Sequence, residues 1–177
     1  SAYRRAFTVP AAWNGRNTFI VFNGVGSAFT LYVNGQEVGY SQDSRTPAEF
    51  NITKYLTEGE NLLAVEVHRF SDGSYLEDQD FWRLSGIFRD VYLWTGDLLD
   101  VRDIEIHASL DDTYSEGILG FKTWMYNYTD STKKYTIEAV LADADGQAVV
   151  NHTVAGSVFQ GTDHVSTISL DGLSIKP

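Results

Sequence analysis

The sequence predicts an all-β chain in two domains, and three observations carry that prediction. Apolar and polar residues alternate with period two from end to end, and no apolar stripe of helical period is sustained anywhere. Two dipeptides, Asn34-Gly35 and Asp145-Gly146, sit between alternating runs, and both are types that accept the left-handed backbone of a tight hairpin. After Trp94 the strands read as shorter and more polar, with fewer aromatics, which places a boundary at Thr95-Gly96-Asp97. Taken in order, residues 3–9 make a first strand and 18–25 a second, rich in aromatic and β-branched types. Residues 28–33 and 36–40 flank the Asn34-Gly35 turn, and 49–52, 61–69 and 86–94 continue the pattern. Thr53 to Leu56 reads as one helical turn, and Glu58-Gly59-Glu60 as a turn into the next strand. Beyond the boundary come strands at 101–109, 117–128, 134–143, 147–155 and 162–170. Five or six strands in about 80 residues is the density of an immunoglobulin-like sandwich, so 1–96 and 97–177 are read as separate domains. Ile175-Lys176-Pro177 brings no final strand, which leaves the completeness of the second domain open.

Composition narrows the function. In 177 residues, 13 Lys and Arg face 24 Asp and Glu, a formal charge of −11 that repels phosphate backbones and anionic lipid. The densest basic pairs are only Arg4-Arg5 and Lys133-Lys134, so neither nucleic acid nor a membrane surface is expected as a partner. The absence of cysteine excludes a disulfide framework, a thiolate zinc site and a cysteine nucleophile, but it does not fix the compartment. Runs such as Leu62 to Val65 fall far short of the roughly 20 apolar residues of a membrane helix, and no signal-peptide pattern opens the chain. The chain starts on Ser1-Ala2 rather than Met, so residue 1 is not read as a biological terminus.

Chemistry concentrates in residues 71–86. There four carboxylates, Asp72, Glu77, Asp78 and Asp80, stand beside Tyr75, Phe81 and Trp82 in a loop too long for a simple hairpin. Carboxylates accept hydrogen bonds from sugar hydroxyls and ligate hard cations, and aromatic rings stack on the apolar face of a pyranose. A capped, solvated loop whose aromatics cover the sheet is the alternative reading of the same residues.

The run Ser71-Asp-Gly-Ser-Tyr-Leu-Glu-Asp-Gln-Asp-Phe-Trp-Arg-Leu-Ser-Gly-Ile-Phe-Arg-Asp90 resembles the corresponding stretch of bacterial β-galactosidases of glycoside hydrolase family 2. Phe22-Asn-Gly-Val-Gly-Ser-Ala-Phe29 and Val33-Asn-Gly-Gln-Glu-Val-Gly-Tyr-Ser-Gln-Asp-Ser-Arg-Thr-Pro-Ala-Glu-Phe50 are similar to the same proteins in the same order. Mannosidases and glucuronidases of the family share the architecture, but the Glu-Asp-Gln-Asp wording points to galactosidases. The resemblance implies that residues 1–96 are the later part of a jelly-roll sugar-binding domain, begun before Tyr3, and that 97–177 is the following immunoglobulin-like domain.

It further implies that Asp80 reaches the active site of the whole enzyme, contacting a galactosyl hydroxyl and a sodium ion, with Glu77, Asp78, Trp82 and Arg83 supporting its loop. The partners implied are the catalytic barrel and a galactoside. Family 2 enzymes are retaining hydrolases with two glutamates, the acid/base one following an asparagine. This chain contains no Asn-Glu dipeptide and no room for a barrel of about 250 residues, so it is expected to hold no catalytic residue and, by itself, no cofactor. The bacterial resemblance leaves cytoplasm and periplasm open.

Other candidates read as structural. His68, His107, His152 and His164 are scattered, without metal-ligand spacing. Asp143-Ala-Asp-Gly146 starts like a calcium loop but has Val154 where the twelfth-position glutamate belongs. Asn23 to Ser27 bears glycines without a following helix or lysine, so it is a turn rather than a phosphate cradle. Sequons begin at Asn51, Asn127 and Asn151. Trp13 and Trp124 are read as sheet cover, Arg83 and Arg89 as partners of nearby carboxylates, and Arg45 as an ordering residue in the turn before Pro47. Three functions stay in view: a noncatalytic part of a β-galactosidase, a free-standing carbohydrate-binding module, and a structural β-sandwich pair. A first strand at Tyr3 whose outer edge lacks a partner, with the aromatic strand Thr18 to Val25 and its neighbours free of a gatekeeping proline, is also expected to drive self-association through the first domain by edge-to-edge pairing or strand exchange, most simply as a two-fold dimer.

Overall fold

A computed structural model describes residues 1–77, 79–80, 82 and 84–174. It is all-β, with strands β1 (Ala2–Thr8), β2 (Asn17–Phe22), β3 (Val25–Gly26), β4 (Ala28–Val33), β5 (Gln36–Gln42), β6 (Ala48–Asn51) and β7 (Glu60–His68). One short helix, α1 (Asp72–Leu76), follows. Then come β8 (Gly86–Ile87), β9 (Val91–Gly96), β10 (Leu99–Leu110), β11 (Glu116–Asn127), β12 (Lys133–Ala142), β13 (Ala148–Val158) and β14 (Asp163–Ser174). Single 3-10 turns stand at Ala11–Trp13 and Thr53–Tyr55. The chain divides into two compact units, Ser1–Asp97 and Leu98–Pro177.

In the first unit a four-stranded sheet ordered β1-β7-β4-β5 faces a three-stranded sheet ordered β6-β2-β9. Phe29, Leu31, Val33, Val65 and Val67 from one sheet meet Ile20 and Phe22 from the other around Ile52. Each such side chain contributes about 1.5–3 kcal/mol on burial, so this cluster holds the unit together. The predicted strand 18–25 is divided: β2 ends at Phe22, and the Asn23 N–H turns to Asp90 O before β3 pairs with β8. The predicted strand 86–94 divides likewise into β8 and β9. All six residues of β2 are buried, because it pairs with β6 on one side and β9 on the other. The aromatic strand is therefore the middle of its sheet, whose edges are β6 and β9; β1 and β5 are the edges of the other sheet.

The Asn34-Gly35 turn has both residues left-handed, at φ 52° and 78°, as a two-residue hairpin requires. Its Asn34 amide donates to Tyr55 O and to Asn61 Oδ1. Asn61, 1% exposed, also accepts from Thr57 N and donates to Thr57 O and Gly59 O. These two amides stitch the hairpin to the start of β7.

The two long sides of this sandwich differ. At one, the chain crosses from β5 to β6, and the Phe50 ring closes under Gly39. At the other, β1 and β9 flank a cleft of about 620 Å³ lined by Phe7, Ile20, Phe22, Val65 and Leu93, with Arg5 at its mouth. Ser1 and Val67 exchange hydrogen bonds, so the odd-numbered residues of β1 bond to β7. The even-numbered Ala2, Arg4, Ala6 and Thr8 then present N–H and C=O groups to the open side.

The second unit pairs a β10-β11-β14 sheet with the β12-β13 hairpin, and their facing sides meet at Met125, Tyr135 and Val158. Its strands are not shorter than those of the first unit, since β10 and β11 run for twelve residues each. The β12-β13 connection is a longer loop than Asp145-Gly146 suggests. Only Gly146 is left-handed, and the Asp143 carboxylate accepts the N–H groups of Asp145 and Gln147. Asn127, the second sequon, is fully buried with its amide on Ser131 O and Val158 O.

Candidate functional site

The acidic loop grows out of the end of β7. Residues 72–76 are one helical turn rather than open loop, with Ser71 and Ser74 in a capping-box arrangement in which Ser74 Oγ accepts the Ser71 N–H while the Ser74 N–H bonds to Ser71 O. At the far end of this turn, both Glu77 carboxylate oxygens lie within 3.3 Å of Ser44 N, which donates to them. Gly73 makes that approach possible, since a Cβ there would stand 2.7 Å from Glu77 Oε1. The helical turn is thus held at its root by Ser71 and at its exit by Glu77.

The Ser44 loop is itself fixed. Asp43, left-handed at φ 92°, accepts the Arg45 and Thr46 N–H groups, and the Thr46 hydroxyl foremost holds its carboxyl below the usual carboxylate range. Arg89 donates to Asn23 O and Arg45 O rather than to a carboxylate, contrary to the sequence reading. The ring of Phe88 lies 5.0 and 5.6 Å from the guanidinium carbons of Arg45 and Arg89, so both cations also meet its π face. A cleft of about 470 Å³ opens beside the loop, bordered by Arg45, Arg69, Phe70, Glu77, Trp82 and Phe88.

Of the residues singled out from sequence, Glu77 and Trp82 border this cleft together, while Asp80 is exposed and is not among its lining residues. Asp78 and Arg83 lie outside the described residues. Trp82 is 87% exposed, Leu76 85%, Leu84 79% and Tyr75 72%, so large apolar side chains on both sides of Asp80 in the sequence are open to solvent. Among the described residues no three histidine or carboxylate groups converge on a metal position. Asp80 offers one carboxylate where a hard cation takes several oxygen ligands, so these residues do not by themselves fit a sodium ion. Trp13 sits on a 3-10 turn and Trp124 on β11, both half-buried. Among the described residues no helix is long and apolar enough to cross a membrane.

Sequence reasoning missed Ser27, Ser44, Arg69 and Phe88 as parts of this region. Ser27 bonds across 41 to 44 positions, a separation that no local pattern signals.

An all-β sandwich carrying an acidic, aromatic loop over a cleft is of the class of sugar-binding β-sandwich modules. The chain belongs to glycoside hydrolase family 2: the model described as "Glycosyl hydrolases family 2, sugar binding domain" matches residues 1–96. A β-galactosidase of Priestia megaterium is 50% identical over 149 residues, covering 84% of this chain and 14% of the relative. A β-galactosidase of Streptococcus thermophilus is 42% identical over 179 residues, covering 100% of this chain and 16% of the relative. The chain thus spans about one seventh of the length of the curated relatives it matches. Among solved structures, a Bacteroides uniformis β-glucuronidase superposes with a TM-score of 0.86 at 21% identity, over 97% of this chain and 22% of that one. A putative β-galactosidase of Bacteroides fragilis gives 0.85 at 21% identity, over 98% and 27%. At that identity the likeness is one of fold.

Proposed function

We propose that this chain is a noncatalytic part of a β-galactosidase that lends the Asp80 loop to a galactoside site completed by the rest of a longer polypeptide. One observation carries the reading. The loop is bonded at its root, through Ser71 and Glu77, while the exposed Asp80 is flanked in the sequence by Tyr75, Leu76, Trp82 and Leu84, which are 72–87% exposed. A loop that lives in water has no use for such a tip, whereas a surface that is covered on assembly does. The relatives' names and length agree with that role. Asp80 would accept a hydrogen bond from a sugar hydroxyl and serve as one oxygen ligand of a sodium ion whose other ligands lie elsewhere. The sequence holds no Asn-Glu dipeptide to supply the acid/base glutamate of a retaining pair.

The test is Asp80→Ala in the full-length enzyme. A hydrogen bond to a charged group contributes about 1.5–3 kcal/mol, so turnover of a chromogenic β-galactoside is expected to fall roughly 10- to 150-fold with the fold intact. A near-normal rate would sink the reading. The 177-residue chain alone is expected to show no turnover, and activity in it that Asp80→Ala abolishes would overturn the noncatalytic assignment.

The cleft beside Trp82 gives a free-standing carbohydrate-binding module as the second reading. One carboxylate and one ring supply a few hydrogen bonds of about 0.5–1.5 kcal/mol each. Fixing a sugar costs about 4 kcal/mol or more. Galactose binding to the chain is therefore expected to be weak, and submillimolar affinity by calorimetry would favour the second reading.

A further inference from the structure

We propose that Ser27 is a positioning residue for the Asp80 loop, acting through the Ser71 cap; this rests on the reading that the loop belongs to a galactoside site. Ser27 is 6% exposed and precedes β4, and its hydroxyl has three neighbours: His68 O and Arg69 O at 3.2 Å, and Ser71 Oγ at 2.8 Å. Either hydroxyl of the Ser27–Ser71 pair can donate, and we take Ser71 as the donor, since the two carbonyls beside Ser27 can only accept its single hydroxyl hydrogen. Ser27 Oγ is then the acceptor toward Ser71. Ser71 Oγ also faces the Ser74 N–H in the capping box, where that N–H bonds to Ser71 O in the first turn of α1.

The result is a relay from Ser71 Oγ through Ser27 Oγ to the carbonyls at the end of β7. A side chain at position 27 that neither donates nor accepts leaves Ser71 Oγ without this partner. The consequence reaches Asp80 because α1 has five residues, too few to hold a helix without its cap and its packing. Asp80 follows four residues after α1 ends, so its place depends on how this turn is seated. Glu77 tethers the exit of the turn, but among the described residues it accepts from one N–H, that of Ser44, in a half-buried setting.

The experiment uses three variants. Ser27→Ala removes the acceptor of Ser71. Ser71→Asp keeps an acceptor for the Ser74 N–H but has no hydrogen for Ser27, and Ser71→Thr keeps both functions. Amide hydrogen exchange of the 177-residue chain is read at residues 72–77 and in β2 and β4. Ser27→Ala and Ser71→Asp are expected to speed exchange at 72–77 about tenfold and leave β2 and β4 unchanged, with Ser71→Thr near wild type. Unchanged exchange at 72–77 in both donor-deficient variants would overturn the proposal, as would equal acceleration in the strands. In the full-length enzyme, Ser27→Ala and Ser71→Asp should lower kcat/KM for a galactoside, with Ser71→Thr restoring it. Loss in Asp80→Ala without loss in Ser27→Ala overturns the positioning role and leaves the functional reading standing; normal turnover in Asp80→Ala overturns both.

Discussion

Replacing Asn61 by alanine strikes one of the most heavily bonded buried side chains of the first unit. The Asn61 side chain, 1% exposed, receives the Asn34 amide at 2.7 Å and the Thr57 N–H at 2.8 Å, and donates to Thr57 O at 3.0 Å and Gly59 O at 3.2 Å. At about 0.5–1.5 kcal/mol net for each bond, the four together contribute roughly 2–6 kcal/mol. Alanine also takes the acceptor from the part-buried Thr57 N–H and Asn34 amide, which adds up to about 1–3 kcal/mol. Relaxation of the turn recovers part of this, so the first unit should lose about 3–4 kcal/mol. For a unit of that size the midpoint would drop by roughly 12–30 °C. Amide exchange in β2 reads the unfolding free energy of this unit apart from the second. Asn151→Ala, which removes a single exposed bond to Glu138, serves as the control and should stay within about 0.5 kcal/mol. A loss below about 1 kcal/mol in Asn61→Ala would refute the claim that these amides stitch the hairpin to β7.

Two further outcomes are expected. Asp111 accepts from the Thr113 hydroxyl foremost, then from the Glu116, Ser115 and Thr113 N–H groups, and its carboxyl is held far below the usual range. A depressed folded value gives the turn stability that is present above the unfolded pKa of about 3.9 and is lost only as pH falls through the lower folded value. Amide shifts of Thr113, Ser115 and Glu116 should hold steady through pH 4 in an NMR titration, and a midpoint at or above 3.9 would contradict the geometry. For assembly, the open β1 edge and the apolar cleft behind it should produce a two-fold dimer of the chain through the first unit, detected by light scattering. A strict monomer at high concentration, or a contact confined to residues 98–177, would count against it.

The strands were legible because period-two alternation is a local signal: β4 falls at the predicted 28–33, and the Asn34-Gly35 turn adopts the backbone its residue types demand. What stayed hidden was set by distant partners. The end of β2 at Phe22 is decided by Asp90, which takes the Asn23 N–H, and the separate β3 is decided by β8. Residues 72–76 look like loop because Gly73 and Ser74 are poor helix formers, and their cap depends on a hydroxyl 44 positions away. The acid-rich segment was visible as a candidate site from composition alone. That Glu77 faces Ser44, and that Arg89 binds carbonyls instead of carboxylates, follows from the packing around Phe88 and from no pattern in the chain.

The placing of β2 between β6 and β9 sets a timetable for making this protein. Phe22 leaves the ribosome roughly 70 residues before Val91, and at about 5–20 residues per second the wait is on the order of 4–14 s. For that time the most apolar strand of the unit has one side unmatched. Synonymous codons that slow translation between residues 52 and 90 would lengthen that exposure without altering a single contact in the finished molecule.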